Sequence, residues 1–176
     1  MLVRFATQQD LPYILNIHDC LFREGDNNEV VKYTITHLKQ HFQMFPKGIL
    51  VAEYDKKIVG YAMCFFLEYR WTDIDNLSFV NSNAFIRDWH SNVGISAYGS
   101  SLAVLPDYRK YNFAHALFQQ MVFFIAKMYP NIKWVLAMCE DDNRSRKLHY
   151  KLGYKPIYVF NAMFHYRDGY KKCSCY

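Results

Sequence analysis

Leu102-Ala103-Val104-Leu105-Pro106-Asp107-Tyr108-Arg109-Lys110-Tyr111-Asn112-Phe113-Ala114-His115-Ala116-Leu117 carries an apolar strand into a short basic loop and straight on into a helix. Ala97 to Leu105 reads as the strand and Pro106 to Asn112 as the loop. Phe113 to Met128 reads as a helix apolar on most of its faces, with Ala114, Leu117, Phe118, Met121, Phe124 and Ile125, and is therefore buried. The first N–H groups of such a helix have no partner inside it, and the macrodipole adds about half a positive charge at that end. Strand, basic loop and helix start together make an anion cradle, and a pyrophosphate suits it. Many α/β connections share this outline and bind nothing, so the outline alone assigns no function.

Upstream, Leu2 to Ala6 reads as a short strand, and Thr7 or Asp10 caps a helix from about Leu11 to Arg23 with Pro12 in its first turn. Leu11, Ile14, Leu15, His18 and Leu21 fall on one face of it. After the break at Gly25-Asp26-Asn27-Asn28, Glu29 to Phe45 reads as a second amphipathic helix. Gly48 to Tyr54 and Lys57 to Leu67 form a hairpin about Asp55-Lys56. Between Glu68 and Ile95 periodicity is lost, and Tyr69, Trp71, Phe79, Phe85 and Trp89 mix with Asp73, Asp75 and Asp88. A loop of that length is usually functional, which makes it the candidate acceptor-binding lid. Downstream, Ile132 to Cys139 reads as a central strand, Asn143 to Leu152 as a helix closed by a left-handed Gly153, and Tyr154 to Tyr166 as a last strand.

The 176 residues suit one domain, expected over 1–167, with 168–176 as a C-terminal tail. Although 52% of the residues are apolar, no run approaches the roughly 18 to 20 that a membrane-spanning helix requires. No secretory signal is read at Met1-Leu2-Val3-Arg4-Phe5, so the expectation is a cytoplasmic protein without a membrane partner. The five cysteines are scattered, and Cys173-Ser174-Cys175 reads as part of a frayed end. No metal is expected, because His18, His37, His41, His115, His149 and His165 lack ligand spacing and read as structural or solvated.

Net charge is +5, and its placement is informative. Between Pro106 and Pro156 stand nine Lys or Arg and four acids, leaving twelve of each elsewhere. The excess around the cradle fits a local anionic ligand better than a uniformly basic coat for nucleic acid, and nucleic acid is disfavoured as a partner. A homodimer is compatible with the sequence.

The quoted segment resembles the acetyl-CoA signature of the GNAT superfamily of N-acetyltransferases, V-x-P-x-Y-R-x-x-G-x-G/A followed by x-x-L, in Val104, Pro106, Tyr108, Arg109, Ala114 and Leu117. A second signature of that family, N-x-x-A-x-x-x-Y-x-x-x-G-F, is approached by Asn143 to Tyr154, with matches at Asn143, Tyr150 and Gly153. The resemblance covers about Val3 to Tyr166. It implies an α+β fold with a mixed, mostly antiparallel sheet flanked by helices, its fourth and fifth strands splayed apart around acetyl-CoA.

On that resemblance, backbone groups at Leu102, Ala103 and Val104 would hold the pantetheine arm and acetyl carbonyl. The run Arg109, Lys110, Tyr111, Asn112, Phe113 and Ala114 would hold the pyrophosphate, with Asn143 and Arg146 adding contacts from the second signature. Asn112 and Lys110 stand where the family commonly has glycine. Asn is the least costly side-chain-bearing substitute, since it enters the left-handed region most readily.

The implied reaction transfers acetyl to a primary amine. Such an amine, with a pKa near 10.4, is free at neutral pH in only about one molecule in a thousand, so a base is useful. The family's usual glutamate on the fourth strand is missing from Ala97-Tyr98-Gly99-Ser100-Ser101. Asp88 and His90 are the candidate bases, and Trp71, Asp73, Trp89 and Tyr98 the candidate acceptor contacts. Tyr150 stands where the family's general acid stands; the competing reading is a core tyrosine beside Leu148 and Leu152. The acceptor reads first as a small-molecule amine. A peptide or protein amine, or a CoA-binding module without catalysis, is the alternative.

Overall fold

The chain leaves its first strand, β1 (Leu2–Phe5), through a turn held by Arg4, whose guanidinium donates to both Asp10 carboxylate oxygens at 2.7 and 3.0 Å. The same carboxylate accepts from the Thr7 backbone N–H at 2.7 Å and so completes the cap of the 3-10 turn Gln8–Asp10, which opens α1 (Leu11–Glu24). This is a computed structural model, and it describes residues 2–24, 33–68, 90–140, 145–156, 158–166 and 169–175.

The next helix, α2 (Ile35–Met44), starts later than the sequence led us to expect, because Thr34 takes the cap. Thr34 Oγ1 accepts from the His37 N–H at 3.3 Å, while His37 Nδ1 accepts from the Thr34 N–H at 3.2 Å. Tyr33 therefore stands ahead of the helix, and 25–32 lie outside the described residues.

β2 (Ile49–Tyr54) and β3 (Lys57–Leu67) form the expected hairpin. Asp55 and Lys56 both take positive φ, 48° and 60°, the turn whose twist matches paired strands. β4 (Ser96–Val104), α3 (Phe113–Met128), β5 (Trp134–Glu140) and α4 (Ser145–Lys151) follow. β5 begins after the expected Ile132, since the Lys133 N–H is first used on the Ile95 carbonyl at 2.7 Å, leading the strand in beside β4.

Gly153 closes α4 at φ 81°, and the Tyr154 N–H reaches back to the His149 carbonyl at 3.0 Å in a Schellman arrangement. Tyr154 to Pro156, expected as strand, stay outside it; proline brings no N–H to a ladder. β6 (Tyr158–Tyr166) and β7 (Gly169–Cys175) complete a sheet of order β1-β2-β3-β4-β5-β7-β6.

The tail expected over 168–176 is a correction. Gly169–Cys175 is the strand β7, paired antiparallel with both β5 and β6. Cys173 and Cys175 are thus held in a ladder whose partners lie far upstream, which no local feature of the segment announces.

Every neighbouring pair is antiparallel except β4 with β5, giving the mixed, mostly antiparallel sheet of an α+β fold. Leu11, Ile14 and Leu38 of α1 and α2 cover one face, packing on Val51, Tyr61 and Met63. Leu117, Met121 and Phe124 of α3 cover the other, against Leu50, Ala62 and Val104. β4 is shared by both layers: Ala103 faces the α1 and α2 side, and Val104 faces α3.

Candidate functional site

β4 and β5 pair in parallel from Ser96 with Trp134 to Gly99 with Ala137, and there they part. Met63 stands opposite Ser101 and Cys64 opposite Gly99, so Ser100 is an extra residue on β4, a β-bulge facing β3. A bulge bends and twists its strand, and this one directly follows the last residue that β5 can reach. Met138–Glu140 then pair with β7 instead. The β5-side edge of β4 at Leu102, Ala103 and Val104 is left without a strand partner among the described residues, which suits an extended ligand bearing amides of its own. This is the splay expected of the fourth and fifth strands.

β4 runs into a 3-10 turn, Pro106–Tyr111, with Pro106 in its first turn, where a missing N–H costs nothing. Arg109 Nε donates to the Val104 carbonyl at 3.1 Å and ties the turn to the strand end. Tyr111 stacks on Tyr54 with ring centroids 5.2 Å apart, and the Lys110 ammonium lies 5.2 Å from the Tyr111 ring. The neighbouring Tyr111 hydroxyl raises the Tyr54 pKa above the ordinary phenol value. Asn112 then takes φ 60°, ψ 23°, the left-handed conformation expected where the family has glycine, and α3 begins at the next residue. Its side chain makes no capping bond, so the first-turn N–H groups of Phe113, Ala114 and His115 stay open to an anion.

Tyr150 lies on α4 and is 47% exposed, with the Arg146 guanidinium 5.7 Å from its ring. The competing reading as a core tyrosine is not met. The buried ring on that helix is His149, packed edge-on against Phe118 at 5.7 Å, and burial lowers its pKa below the ordinary imidazole value. Tyr98 sits on β4 two residues before the bulge, its ring edge-on to Phe65 at 5.4 Å.

His90 does not have the geometry of a base, which corrects one expectation. Its Nδ1 accepts from the Phe66 N–H at 3.2 Å, Nε2 pairs with Asn92 Oδ1 at 3.1 Å, and the ring stacks on Phe45 at 5.0 Å. Both nitrogens are used within the protein, and burial holds its pKa below the ordinary imidazole value. The other candidates Trp71, Asp73, Asp88, Trp89 and Asn143 lie outside the described residues.

Sequence reasoning missed the bulge at Ser100 and a polar line on the α1 side of β4. His18 Nδ1 lies 2.9 Å from Tyr61 Oη, and Tyr61 Oη lies 3.0 Å from Ser101 Oγ. Two signals could have found them: Gly99 inside a strand pattern, which often marks a bulge, and His18 on an otherwise apolar helix face, which requires a buried partner.

A sequence model of the Acetyltransferase (GNAT) family matches residues 11–154. The fold is similar to that of a ribosomal-protein-alanine N-acetyltransferase from Brucella melitensis, 18% identical with a TM-score of 0.72, over 99% of this chain and 97% of that one. It is equally similar to a putative acetyltransferase from Salmonella typhimurium solved with acetyl-CoA, 16% identical with a TM-score of 0.72, over 99% of this chain and 91% of that one. A probable hydrolase, YhcX of Bacillus subtilis (strain 168), is 23% identical over 126 residues, 68% of this chain. The chain spans only 22% of that relative's length.

Proposed function

Because the chain belongs to the GNAT family of acetyltransferases, we propose that it transfers the acetyl group of acetyl-CoA to a primary amine of a small molecule. The observation that carries this reading is the parting of β4 from β5 at the Ser100 bulge, a few residues ahead of the left-handed Asn112 and the open start of α3. Acetyl-CoA fits the residues present, since an extended amide-bearing arm matches an unpaired strand edge and a pyrophosphate matches free helix N–H groups. When bound it supplies a thioester whose carbonyl carbon an amine can attack.

The protein's own groups then divide the work. Backbone groups of Leu102, Ala103 and Val104 hold the arm and orient the carbonyl. The open N–H groups of Phe113 and Ala114 hold the pyrophosphate, and Arg109, Lys110, Tyr111 and Asn112 stand beside it in the turn, whose own N–H groups are drawn inward, Asn112's onto the Arg109 carbonyl at 3.4 Å; Asn143 and Arg146 are further contacts. Tyr150 donates a proton to the departing sulfur. A phenol with a pKa near 10 and a thiol near 8.5 are matched closely enough for that transfer. Asp88 remains the candidate to take the amine's proton, with Trp71, Asp73, Trp89 and Tyr98 around the acceptor.

A second reading, acetylation of a peptide or protein amine, is supported by the shared fold of the Brucella melitensis protein, whose name specifies a ribosomal protein's alanine. Thiol release from acetyl-CoA against polyamines, amino acids, aminoglycosides and peptides separates the readings. Release with small amines supports the proposal, and release with peptides alone supports the second reading. Binding of acetyl-CoA with no release for any amine replaces both with a non-catalytic binding module.

A further inference from the structure

On the face of the sheet opposite α3, a chain of hydrogen bonds runs from the Tyr33 backbone to β4. The Tyr33 N–H donates to His18 Nε2 at 3.1 Å, His18 Nδ1 lies 2.9 Å from Tyr61 Oη, and Tyr61 Oη lies 3.0 Å from Ser101 Oγ. His18 and Tyr61 are 5% and 1% exposed, so these bonds are shielded from exchange with water.

The polarity of the whole chain follows from its first member. A backbone N–H can only donate, so His18 Nε2 presents a lone pair, and the neutral ring carries its hydrogen on Nδ1. Nδ1–H therefore donates to Tyr61 Oη, and Tyr61 O–H in turn donates to Ser101 Oγ. The Ser101 hydroxyl hydrogen is thereby turned away from Tyr61 and left to donate elsewhere. Since Nδ1 already holds a hydrogen, the chain cannot receive the amine's proton through Tyr61, and His18 is not a general base.

Ser101 adjoins the bulge residue Ser100, just past the point where β4 leaves β5. Ser100 Oγ donates to the Met63 carbonyl at 3.4 Å, which ties the bulge to β3 beside Ser101. α3 and its anion-binding start approach β4 from the other face. The cradle and the oriented hydroxyl thus meet at one strand from opposite sides.

We infer that Ser101 donates a hydrogen bond to the acceptor, that His18 is the positioning residue which fixes this polarity through Tyr61, and that the acceptor carries a hydroxyl or carbonyl oxygen close to its amine. This rests on the transferase reading above. Amino alcohols, aminoglycosides, amino acids and peptides have such an oxygen; simple polyamines do not.

The test uses the full chain, acetyl-CoA, and the panel amine that releases thiol fastest, together with ¹⁵N NMR of the His18 ring. Ser101→Ala should lower kcat/KM for that amine about tenfold, the worth of one neutral hydrogen bond, with KM for acetyl-CoA unchanged and Ser101→Thr restoring most of the loss. Tyr61→Phe should cost several-fold, and the double variant should cost no more than Ser101→Ala alone, because both changes interrupt one chain. The spectrum should show the hydrogen on Nδ1. Additive losses, an equal rise in KM for acetyl-CoA, a polyamine as the best acceptor, or a hydrogen on Nε2 would each overturn the inference. A parent that releases no thiol with any amine overturns the transferase reading instead, and the His18 spectrum still decides the polarity on its own.

Discussion

On one face of β4 the groups that suit an anion come from a single run of sequence, the turn Pro106–Tyr111, Asn112 and the start of α3. On the other face the polar line joins residues 43 and 40 positions apart, His18 with Tyr61 and Tyr61 with Ser101. The first face is built by local conformation: proline sets the turn, asparagine accepts the left-handed region, and the helix start follows. The second exists only because sheet register brings β3 beside β4 and packing lays α1 across both. A local device can be read from neighbouring residue types, whereas a device assembled across strands shows in the sequence only as single polar residues at apolar positions.

The largest expected effect is at Tyr150, which stands on α4 and belongs to neither of these two devices. Tyr150→Phe removes one hydroxyl from a half-exposed ring that already stacks with Arg146. If that hydroxyl protonates the leaving sulfur, kcat should fall about 10²- to 10⁴-fold in the thiol-release assay, with acetyl-CoA affinity and thermal stability little changed. Near-normal kcat would move Tyr150 out of the chemistry.

A smaller effect is expected at Asn112. The left-handed conformation costs a side-chain-bearing residue on the order of 1–2 kcal/mol, and a β-branched residue more than asparagine. Asn112→Val should therefore weaken acetyl-CoA binding by about tenfold or more by calorimetry, while Asn112→Gly binds as well as the parent or better. Equal affinity for the valine variant would mean that the backbone at 112 does not touch the phosphates.

The smallest effects separate the scaffold from both faces. His41 is buried with Nε2 on the Cys64 carbonyl at 3.0 Å, and burial lowers its pKa from 6.5 to about 4. Below pH 6.5 the unfolded chain takes up this proton and the folded chain does not, so stability should fall between pH 6.5 and 4 and level off for this group below that. Asp10, hydrogen-bonded by Arg4, is lowered from 3.8 to about 2, so its contribution is present above pH 3.8 and is lost as pH falls toward 2. Urea unfolding across that range should show both limbs, with His41→Gln flattening the upper and Asp10→Ala flattening the lower. At neutral pH Asp10→Ala should also cost about 1 kcal/mol for the lost cap. Neither change should alter acetyl-CoA affinity of the folded protein.

The same division explains which elements were anticipated. The β2–β3 hairpin, α3 and the Gly153 cap stand where turn chemistry and periodicity placed them, because each is decided within a few residues. The start of α2 lies later than amphipathic periodicity alone places it, because Thr34 caps the helix and His37, rather than the usual Glu or Gln, closes the box. The surroundings of His90 are not legible in the sequence, because its bond from the Phe66 N–H and its stacking on Phe45 join segments far apart in the chain.

By itself the sequence determined the strand, turn and helix whose junction suits an anion, the left-handed residue between turn and helix, and the family to which these motifs point. Those features depend on backbone preferences and hydrogen bonds closed over short spans. Only the tertiary structure decided that Gly169–Cys175 fills the place between β5 and β6, that Ser100 bulges where β5 departs, and that Ser101 is joined to His18 through Tyr61. The physical reason is that strand order, register and buried hydrogen bonds are satisfied by partners tens of residues away, whose identity is settled when the layers pack.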